Sequence, residues 1–346
     1  MIEDSDKRTE IGALGEFGLI DKLLSKNQKR NATTLLGPND DAAIFKHGEN
    51  KVSVVSTDMF MEKIHFDLMY FPLKHLGYKV VVASISDIYA MNATPKQITV
   101  SVALSNRFSV EALEELYEGI YAACKVYNID LVGGDTTSST SGLAISVTAI
   151  GSADAGKIVK RDGAKPGDIL CVSGDLGSAY LGLQILEREK QLYLSNPGIK
   201  PDLEDEKYII GRQLKPEARK DIIQFFAEQQ LIPTSMIDIS DGLASELFHI
   251  AKNSEVGIIL EEGNVPMRQE AELLAIKFKL DPITCALSGG EDYELLFTID
   301  PTDFDKIQFA TDIKIIGEVV EEGEGVKLHT SGGNIKTLTA QGWKHF

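Results

Sequence analysis

The sequence predicts an α/β (α+β) protein with two domains. Its 346 residues are more than a single hydrophobic core usually serves. Short runs rich in Val, Ile and Thr alternate with stretches of helical periodicity in both halves of the chain. Between residues 151 and 167 the composition changes to Gly, Ala, Lys, Asp and Pro, which is typical of a connection between domains. We therefore expect an N-terminal domain over 1–152 and a C-terminal α/β domain over 153–346.

In the first half, apolar residues recur at i, i+3 and i+4 in three stretches, which predicts helices. These helices are expected over residues 12–27, 74–91 and 109–127. Short β-branched runs predict strands over 52–58, 97–104 and 143–150. A further apolar run, Leu131-Val132, leads into Gly133-Gly134-Asp135-Thr136-Thr137, which we interpret as a turn at the end of a strand.

The second half continues the alternation of strands and helices without a clean internal repeat. Strands are expected over 169–173 and 256–261, and helices over 178–188, 216–229 and 243–253. The stretch 286–297 is expected to be the last acid-rich turn before a strand. The stretch 190–207 holds two prolines and many acidic residues, so we expect an exposed irregular insertion there.

Charge and composition argue against several classes of partner. The chain carries a formal charge of −17 and no basic run longer than Lys29-Arg30, so we expect neither nucleic acid nor an anionic membrane as a partner. No apolar run approaches the roughly 18 residues that cross a bilayer. The start of the chain is acidic and does not resemble a signal peptide, and Cys124, Cys171 and Cys285 form no metal or disulfide pattern. These features predict a cytoplasmic protein.

Five segments place acidic residues beside glycine, hydroxyl groups or an apolar helix face rather than in a solvated charge run. They are Asp40-Asp41, Ser56-Thr57-Asp58, Asp87, Gly133-Gly134-Asp135-Thr136 and Asp238-Ile239-Ser240-Asp241-Gly242. Carboxylates crowded together raise one another's pKa values, and bound cations neutralise them. Mg²⁺ prefers oxygen ligands and bridges phosphates through carboxylates. Because phosphoryl transfer needs mainly alignment and charge neutralisation, the pattern favours an enzyme that holds a nucleotide on several Mg²⁺ ions.

Familiar nucleotide-binding motifs do not account for this pattern. Gly151–Ile158 nearly matches a phosphate-binding loop, but it lacks the final hydroxyl, and the glycines and Pro166 that follow cannot sustain the required helix. No G-x-G-x-x-G opens a helix after a strand. From spacing alone, two further hypotheses stay open: a non-catalytic regulator that binds metal or nucleotide, and a structural dimer with surface acids.

A longer series of segments, in a fixed order, resembles the thiamine-monophosphate kinase family of the aminoimidazole-ribonucleotide-synthetase-like superfamily. The segments are Gly15-Glu16-Phe17, Asp40-Asp41-Ala42-Ala43, Ser56-Thr57-Asp58, His65-Phe66, Leu76-Gly77-Tyr78-Lys79, Ser86-Asp87-Ile88, Met91-Asn92-Ala93-Thr94-Pro95, Gly133-Gly134-Asp135-Thr136-Thr137, Arg161–Asp168, Asp238–Leu243 and Ser288–Leu295. Each segment is a weak signal, whereas the ordered set is specific. One position departs from the family pattern, because Asn39 replaces the second glycine of Gly-x-Gly-Asp-Asp. Asn tolerates the left-handed conformation better than most residues, so we expect this turn to survive.

The resemblance implies ATP-dependent phosphorylation of thiamine monophosphate to thiamine diphosphate, the last step in making that coenzyme. It also implies a two-domain fold of the superfamily and a homodimer built from the N-terminal sheets, with ATP and several Mg²⁺ ions in a cleft between the domains. The acceptor is itself an ionised phosphate, so no general base is needed and transfer would be direct and in line. The alternative is another ATP-using synthetase or a maturation enzyme of the same superfamily.

Roles for individual residues also follow from the resemblance. The implied metal ligands are Asp41, Ser56, Thr57, Asp58, Asp87, Asp135, Asp238 and Asp241. The implied ATP contacts are Tyr117, Gly134, Asp135, Arg161 and Ser240, and the implied thiamine pocket holds His65, Glu291 and Trp343. Catalysis would depend on Asp58, Asp135 and Asp238. The ordinary alternatives are a core position for Tyr117, a loop position bonded to backbone for His65, and a packing role for Trp343.

Overall fold

Two β-sheets, one in each half of the chain, form the framework of the computed structural model. The structure describes residues 11–38, 40–198, 200–201, 203–204 and 206–339. The strands of the first sheet are β1 (Thr34–Leu36), β2 (Ala43–Lys46), β3 (Lys51–Met61), β4 (Thr94–Leu104), β5 (Asp130–Ser138) and β6 (Ala144–Asp154). They follow the order β1-β2-β3-β6-β4-β5, in which β4 and β5 are parallel and the other neighbours are antiparallel. A parallel pair requires a crossover, and a helix between β4 and β5 supplies it.

Helices α1 (Gly15–Leu24), α2 (Leu73–Ala90) and α3 (Val110–Tyr127) accompany this sheet. From Leu76 to Ala90, every residue of α2 except Asp87 is buried. The helix is buried on all sides because it packs against α3, β3 and β6 and also reaches the second sheet. Gly77 and Gly119 allow the approach of α3, since a Cβ atom on Gly119 would lie 1.9 Å from the carbonyl oxygen of Lys74.

The second sheet holds seven strands and is covered by the remaining helices. Its strands are β7 (Ile169–Ser173), β8 (Ser235–Asp238), β9 (Val256–Glu261), β10 (Leu295–Ile299), β11 (Ile313–Glu321), β12 (Val326–His329) and β13 (Ile335–Thr337), in the order β13-β12-β9-β11-β7-β10-β8. The helices are α4 (Ser178–Ser195), α5 (Lys207–Leu214), α6 (Lys220–Gln229), α7 (Leu243–Ser254), α8 (Gln269–Lys277), α9 (Pro282–Ser288) and α10 (Phe304–Ile307). The predicted α/β class is confirmed, while the domain boundary between 152 and 153 stays a prediction.

Two motifs that the sequence placed at strand ends lie inside strands. Gly133, Gly134 and Asp135 belong to β5, which runs parallel to β4 through Ser138, so the predicted turn is wrong. The Ser56-Thr57-Asp58 triplet lies within β3, because β3 stays paired with β6 along its full length to Met61. Long-range pairing with a neighbouring strand overrides the local preference of glycine for turns.

Two helix predictions in the second half also need correction. The helix expected over 178–188 continues to Ser195, so the first residues of the expected irregular insertion are helical. They include Lys190 and Gln191, which are good helix formers. The helix expected over 216–229 begins only at Lys220, and a separate helix, α5, ends at Leu214. Pro216 lies between them and is incompatible with a continuous helix.

No helix in the described part of the chain is both long enough and apolar enough to span a membrane.

Candidate active site

Four aspartates from distant parts of the chain meet beside α2, which contacts strands of both sheets. We call Asp41, Asp58, Asp87 and Asp238 the acidic cluster. Asp41 precedes β2, Asp58 lies in β3, Asp87 projects from α2, and Asp238 ends β8. Oxygen atoms from Asp41, Asp87 and Asp238 lie within 4.8 Å of one another. Because α2 is packed against both sheets, it brings the carboxylates of the two halves together.

Serine hydroxyl groups lie near three of these carboxylates. Ser56 donates a hydrogen bond to Asp87 Oδ2, which joins β3 to α2. From α2, Ser84 and Ser86 lie near Asp58 and Asp238 and favour their ionised forms. The Ser84 hydroxyl donates to the carbonyl oxygen of Val80 at 3.0 Å, and Ser86 Oγ has no hydrogen-bond partner among the described residues. Neutral hydroxyl donors orient a carboxylate but leave its negative charge largely uncompensated.

Burial and mutual repulsion raise the pKa values of the cluster. Burial is the largest cause at Asp87, followed by the charges of Asp58, Asp238 and Asp41, and together they raise its pKa well above the usual value. Burial and the charge of Asp41 raise the pKa of Asp238 to about 7. Burial and repulsion thus disfavour the ionised form of the cluster, and a cation would stabilise that form.

The cluster also has buried oxygen atoms without donors. Among the described residues, Asp41 Oδ2 and Asp58 Oδ2 are buried and have no hydrogen-bond partner. Buried polar atoms in native proteins are nearly always paired with protein, water or an ion. Carboxylate oxygens crowded in this way are the donors that a hard divalent cation such as Mg²⁺ prefers, so the residues present fit a metal site.

Arg161 provides a positive charge at the edge of the cluster. It lies in the connection between the sheets, and its Nη2 and Nε donate to Asp41 Oδ1 at 2.7 and 3.2 Å. Burial opposes its charged form, but the carboxylates of Asp41, Asp40 and Asp238 together outweigh burial and raise its pKa. A guanidinium group so placed can form a fork with phosphate oxygens that enter the cluster.

Two acids beside the cluster were not among the predicted site residues. Burial, followed by the charge of Asp41, raises the pKa of Asp40 to about 7, and its carboxylate accepts the backbone N–H of Arg161 at 3.3 Å. Glu246 in α7 is buried, and its Oε1 accepts the backbone N–H groups of Ser240 and Asp241 at 3.2 and 2.9 Å. Glu246 thus holds the turn that carries two predicted site residues. The sequence did offer a signal for Glu246, because it is an acidic residue within the apolar run of the helix expected over 243–253.

Thr57 and Asp135 do not join the acidic cluster within one chain. The Thr57 hydroxyl lies 3.0 Å from that of Thr148, on the face of β3 opposite to Asp58. β5 is separated from β3 by β6 and β4, so Asp135 is about 14 Å from β3 across the sheet. Asp135 pairs across the sheet with Ser101, and this row continues through β6 to Met59, the residue after Asp58. The first sheet therefore places both residues on its open face.

Three predicted ATP contacts do lie together. Tyr117 from α3 and Gly134 and Asp135 from β5 line one surface cavity of about 470 Å³. Tyr117 is half-buried and packs against the hydrophobic core, so its contact with ATP stays a prediction. A Cβ atom on Gly134 would lie 1.8 Å from the carbonyl oxygen of Val100, so glycine is required for the pairing of β5 with β4.

The structure describes two of the three predicted thiamine-pocket residues, Glu291 and His65. Glu291 lies next to the Ser240 turn, since its backbone N–H donates to the carbonyl oxygen of Ser240 at 2.7 Å. His65 follows β3; its Nδ1 accepts the backbone N–H of Met61 at 2.9 Å, and its ring packs edge-on against Phe60. Accepting at Nδ1 places the proton of a neutral imidazole on Nε2. Trp343 and the Asn39 departure lie outside the described residues.

Comparison with known proteins gives a consistent set of relatives. A family model for the AIR synthase related protein, N-terminal domain, matches residues 39–153. The thiamine-monophosphate kinase of Aquifex aeolicus (strain VF5) is 35% identical over 333 residues, which cover 96% of this chain and 98% of the relative. The thiamine-monophosphate kinase of Bacillus subtilis (strain 168) is 32% identical over 340 residues, which cover 96% of this chain and 100% of the relative. A solved structure of AaThiL complexed with AMPPCP and TMP matches with a TM-score of 0.82 at 32% identity, over 98% of this chain and 100% of that chain.

Proposed function

The chain belongs to the thiamine-monophosphate kinase family, and we propose that its acidic cluster holds Mg²⁺ for a direct, in-line phosphoryl transfer. The reaction is the ATP-dependent phosphorylation of thiamine monophosphate, with ATP as co-substrate. Its support is a sequence identity of 32–35% with thiamine-monophosphate kinases over nearly the full length, together with the structural similarity to AaThiL, which was solved in complex with AMPPCP and TMP. The metal proposal rests on the short distances between the carboxylate oxygens of Asp41, Asp87 and Asp238, which lie within 4.8 Å of one another.

Mg²⁺ would be held by the acidic cluster together with Ser56 and Asp241. When bound, the metal supplies positive charge that neutralises phosphate oxygens and aligns them for attack. The donor set supports this role, because two buried oxygens of the acidic cluster, Asp41 Oδ2 and Asp58 Oδ2, have no hydrogen-bond partner among the described residues. Several carboxylates at one place are also more than a single cation can neutralise, which favours more than one ion.

The protein's own groups would then align two phosphates. The guanidinium group of Arg161 is hydrogen-bonded to Asp41, and from this position it could instead form paired hydrogen bonds with a phosphate of ATP. The exposed hydroxyl of Ser240 lies on the turn held by Glu246, where it can contact the nucleotide. The acceptor phosphate is ionised at neutral pH, so no side chain has to remove a proton from it.

We also propose a homodimer that covers the open face of the first sheet. β5 is an edge strand in the described chain, and Val132 on it is 57% exposed. An exposed edge with apolar side chains is usually covered by another element or chain. Thr57 and Asp135 face this side, so a second copy would enclose two predicted metal ligands that one chain leaves apart. Sedimentation should give the mass of two chains; a monomer that retains full turnover would remove this part of the proposal.

The function is tested by incubating the purified protein with ATP, Mg²⁺ and thiamine monophosphate and measuring thiamine diphosphate by chromatography. We expect one diphosphate for each ATP consumed, and no product after Mg²⁺ is removed with EDTA. Asp238→Asn should lower kcat at least about 100-fold, because it removes a charge that aligns the reacting phosphates. The control is Asp305→Asn, an exposed acid far from the site in sequence and fold, which should leave kcat unchanged.

Different failures of this assay have different meanings. Consumption of ATP without thiamine diphosphate would favour a synthetase or maturation enzyme of the superfamily. Full turnover without a divalent metal would overturn the proposed role of the acidic cluster while leaving the kinase activity in place.

A further inference from the structure

A lysine is buried in the middle of α2, on the side that faces α5. The side chain of Lys79 is 3% exposed, yet it carries an ammonium group. Its Nζ donates to the carbonyl oxygen of Gln213 in α5 at 2.9 Å and lies 3.0 Å from Glu291 Oε1. It also lies 5.3 Å from the centroid of the Phe71 ring. A buried charge is tolerated only when it is paired and hydrogen-bonded, so the interactions of Lys79 converge on Glu291.

Glu291 is held at both of its carboxylate oxygens. Lys79 binds Oε1, and the side-chain amide of Gln213 donates to Oε2 at 2.8 Å. The side chain of Glu291 is nevertheless 28% exposed. A carboxylate has about four acceptor positions, so two donors fix its orientation while acceptor positions stay available to a ligand.

The backbone of the same residue is also constrained. Glu291 has a φ angle of 59°, in the left-handed region that few non-glycine residues adopt. Its N–H donates to Ser240 at 2.7 Å, and Tyr293 N–H donates to Ile239 at 2.9 Å. The segment therefore lies directly against the turn that follows Asp238. Local strain of this kind persists where surrounding contacts hold it, and it is common at ligand sites.

The surroundings of Glu291 suit the ring end of the acceptor. The acidic cluster, where the phosphates would lie, is adjacent through Asp238 and Ser240. The loop that follows His65 lies near the pair of Lys79 and Glu291, since Lys79 Nζ is 5.3 Å from the centroid of the Phe71 ring. The charge of Glu291 also contributes, after burial, Glu187 and Asp67, to raising the pKa of Tyr70. A fixed anion at this place can accept a hydrogen bond from an amino group, and its charge favours a cationic ring.

We propose that Lys79 is a positioning residue for the acceptor substrate. Together with Gln213, it holds the Glu291 carboxylate so that the remaining acceptor positions bind the amino group of the thiamine pyrimidine ring. The inference rests on the proposed function and extends it, because it gives α2 a second role besides carrying Asp87. One helix of the first half then aligns both ends of the acceptor.

Lys79→Met tests this role, because methionine keeps most of the side-chain volume and removes the charge. The KM for thiamine monophosphate should rise about tenfold or more, the effect of losing the orientation of one charge-assisted hydrogen bond. The KM for ATP and kcat should stay within about twofold, since the lost interaction is made equally in the ground and transition states. A similar rise in the KM for ATP would indicate a general structural defect and overturn the inference.

A double-mutant cycle with Glu291→Gln separates positioning from packing. If Lys79 acts through Glu291, then adding Lys79→Met to Glu291→Gln should change the KM for thiamine monophosphate by less than about twofold. Independent effects that multiply in the double variant would show that Lys79 acts elsewhere.

Gln213→Leu keeps the inference testable if Lys79→Met does not fold. Gln213 is 2% exposed, and its Oε1 has no hydrogen-bond partner among the described residues, so leucine removes a donor to Glu291 without exposing new polar groups. We expect a rise in the KM for thiamine monophosphate of about threefold to tenfold, as for one hydrogen bond to a charged group. An unchanged KM would contradict the inference.

Lys215→Met is the matched control. Lys215 also pairs with a glutamate, Glu217, and lies 4.4 Å from the centroid of an aromatic ring, Tyr78, but no contact joins it to Glu291. Its kinetic constants should equal those of the wild type. Because the wild-type protein is assayed first, absence of any thiamine diphosphate would refute the proposed function, whereas an active wild type with an unaffected Lys79→Met variant would refute only the positioning role.

Discussion

At the scale of single residues, each carboxylate of the acidic cluster has a different neighbour. Asp41 is paired with the guanidinium group of Arg161, whereas Asp87 accepts a hydrogen bond from Ser56, and Asp58 and Asp238 have serine hydroxyl groups nearby. A hydroxyl group stabilises an anion far less than a cation does, so the cluster keeps an excess of negative charge. The positive charge nearest to it, on Arg161, in turn influences a histidine on α7.

His249 should make the folded protein sensitive to acid. Burial, followed by the charges of Arg161 and Lys252, lowers the pKa of its imidazole to about 4. The pKa in the unfolded chain is higher, about 6.5, so the unfolded chain binds the proton first as the pH falls. As far as His249 is concerned, the folded protein therefore keeps its full stability above about pH 6.5 and loses stability as the pH falls toward 4. Between pH 7 and 4.5, the free energy of unfolding of the wild type should fall about 2 kcal/mol more than that of His249→Gln.

Urea unfolding at a series of pH values measures this difference. His47→Gln, which changes an exposed histidine, should follow the wild-type curve. Parallel curves for the wild type and His249→Gln would show that the histidine is not forced to stay neutral.

At the scale of elements, α2 organises the site. It carries Ser84, Ser86 and Asp87 toward the acidic cluster and Lys79 toward Glu291, and its position is set by the closely packed helix α3. A shift of this helix would move donors and acceptors at both places. Packed interiors transmit such shifts because they contain little free volume.

Gly119→Ala should separate α3 from α2. The new Cβ atom would lie 1.9 Å from the carbonyl oxygen of Lys74, and backbone cannot yield as a flexible side chain can. We expect a loss of stability of about 2–3 kcal/mol and a lower kcat, measured by chemical denaturation and by the kinase assay.

Gly211→Ala in α5 provides the control, because no atom lies within 4 Å of the Cβ position there. Alanine has the higher helix propensity, so this variant should be as stable as the wild type or more stable by about 0.5–1 kcal/mol. A Gly119→Ala variant as stable as Gly211→Ala would show that the two helices can move apart freely.

At the scale of the whole molecule, the cluster couples the two halves of the chain. Asp41, Asp58 and Asp87 come from the first half and Asp238 from the second. Their repulsion opposes the contact between the halves, whereas a shared cation would favour it. Substrate-binding charges are thus arranged at the expense of stability, as is common at functional sites.

Mg²⁺ should therefore stabilise the folded protein, and its removal should lower the melting midpoint. At about 100 times the dissociation constant, binding contributes about 2.7 kcal/mol. Asp87→Asn should reduce this increment, and in EDTA it should be more stable than the wild type by about 1 kcal/mol, because it removes repulsion among buried acids.

Thermal unfolding with Mg²⁺ and with EDTA tests both statements. Asp21→Asn, which changes an acid that is 60% exposed on α1, should show the wild-type increment. An equal increment in Asp87→Asn would place the metal elsewhere.

Local patterns predicted the class of the fold and most of its elements. α3, for example, begins after Ser109 and matches the helix expected over 109–127, because its apolar spacing and N-cap are properties of neighbouring residues. The same reasoning placed Gly133-Gly134-Asp135 in a turn, although the segment is a strand paired with β4. Pairing with a distant strand is not encoded in local spacing, so this error could not be recognised from the segment alone.

The sequence by itself determined the residue types of the site and their order along the chain, and this order was sufficient for the family resemblance. Only the tertiary structure decided which of these residues meet. It brings Asp41, Asp87 and Asp238 together, leaves Asp135 on an edge strand, and joins Lys79 to Glu291. The physical reason is that the buried helix α2 is shared by both sheets, and the packing of its faces sets the distances between groups that are far apart in sequence.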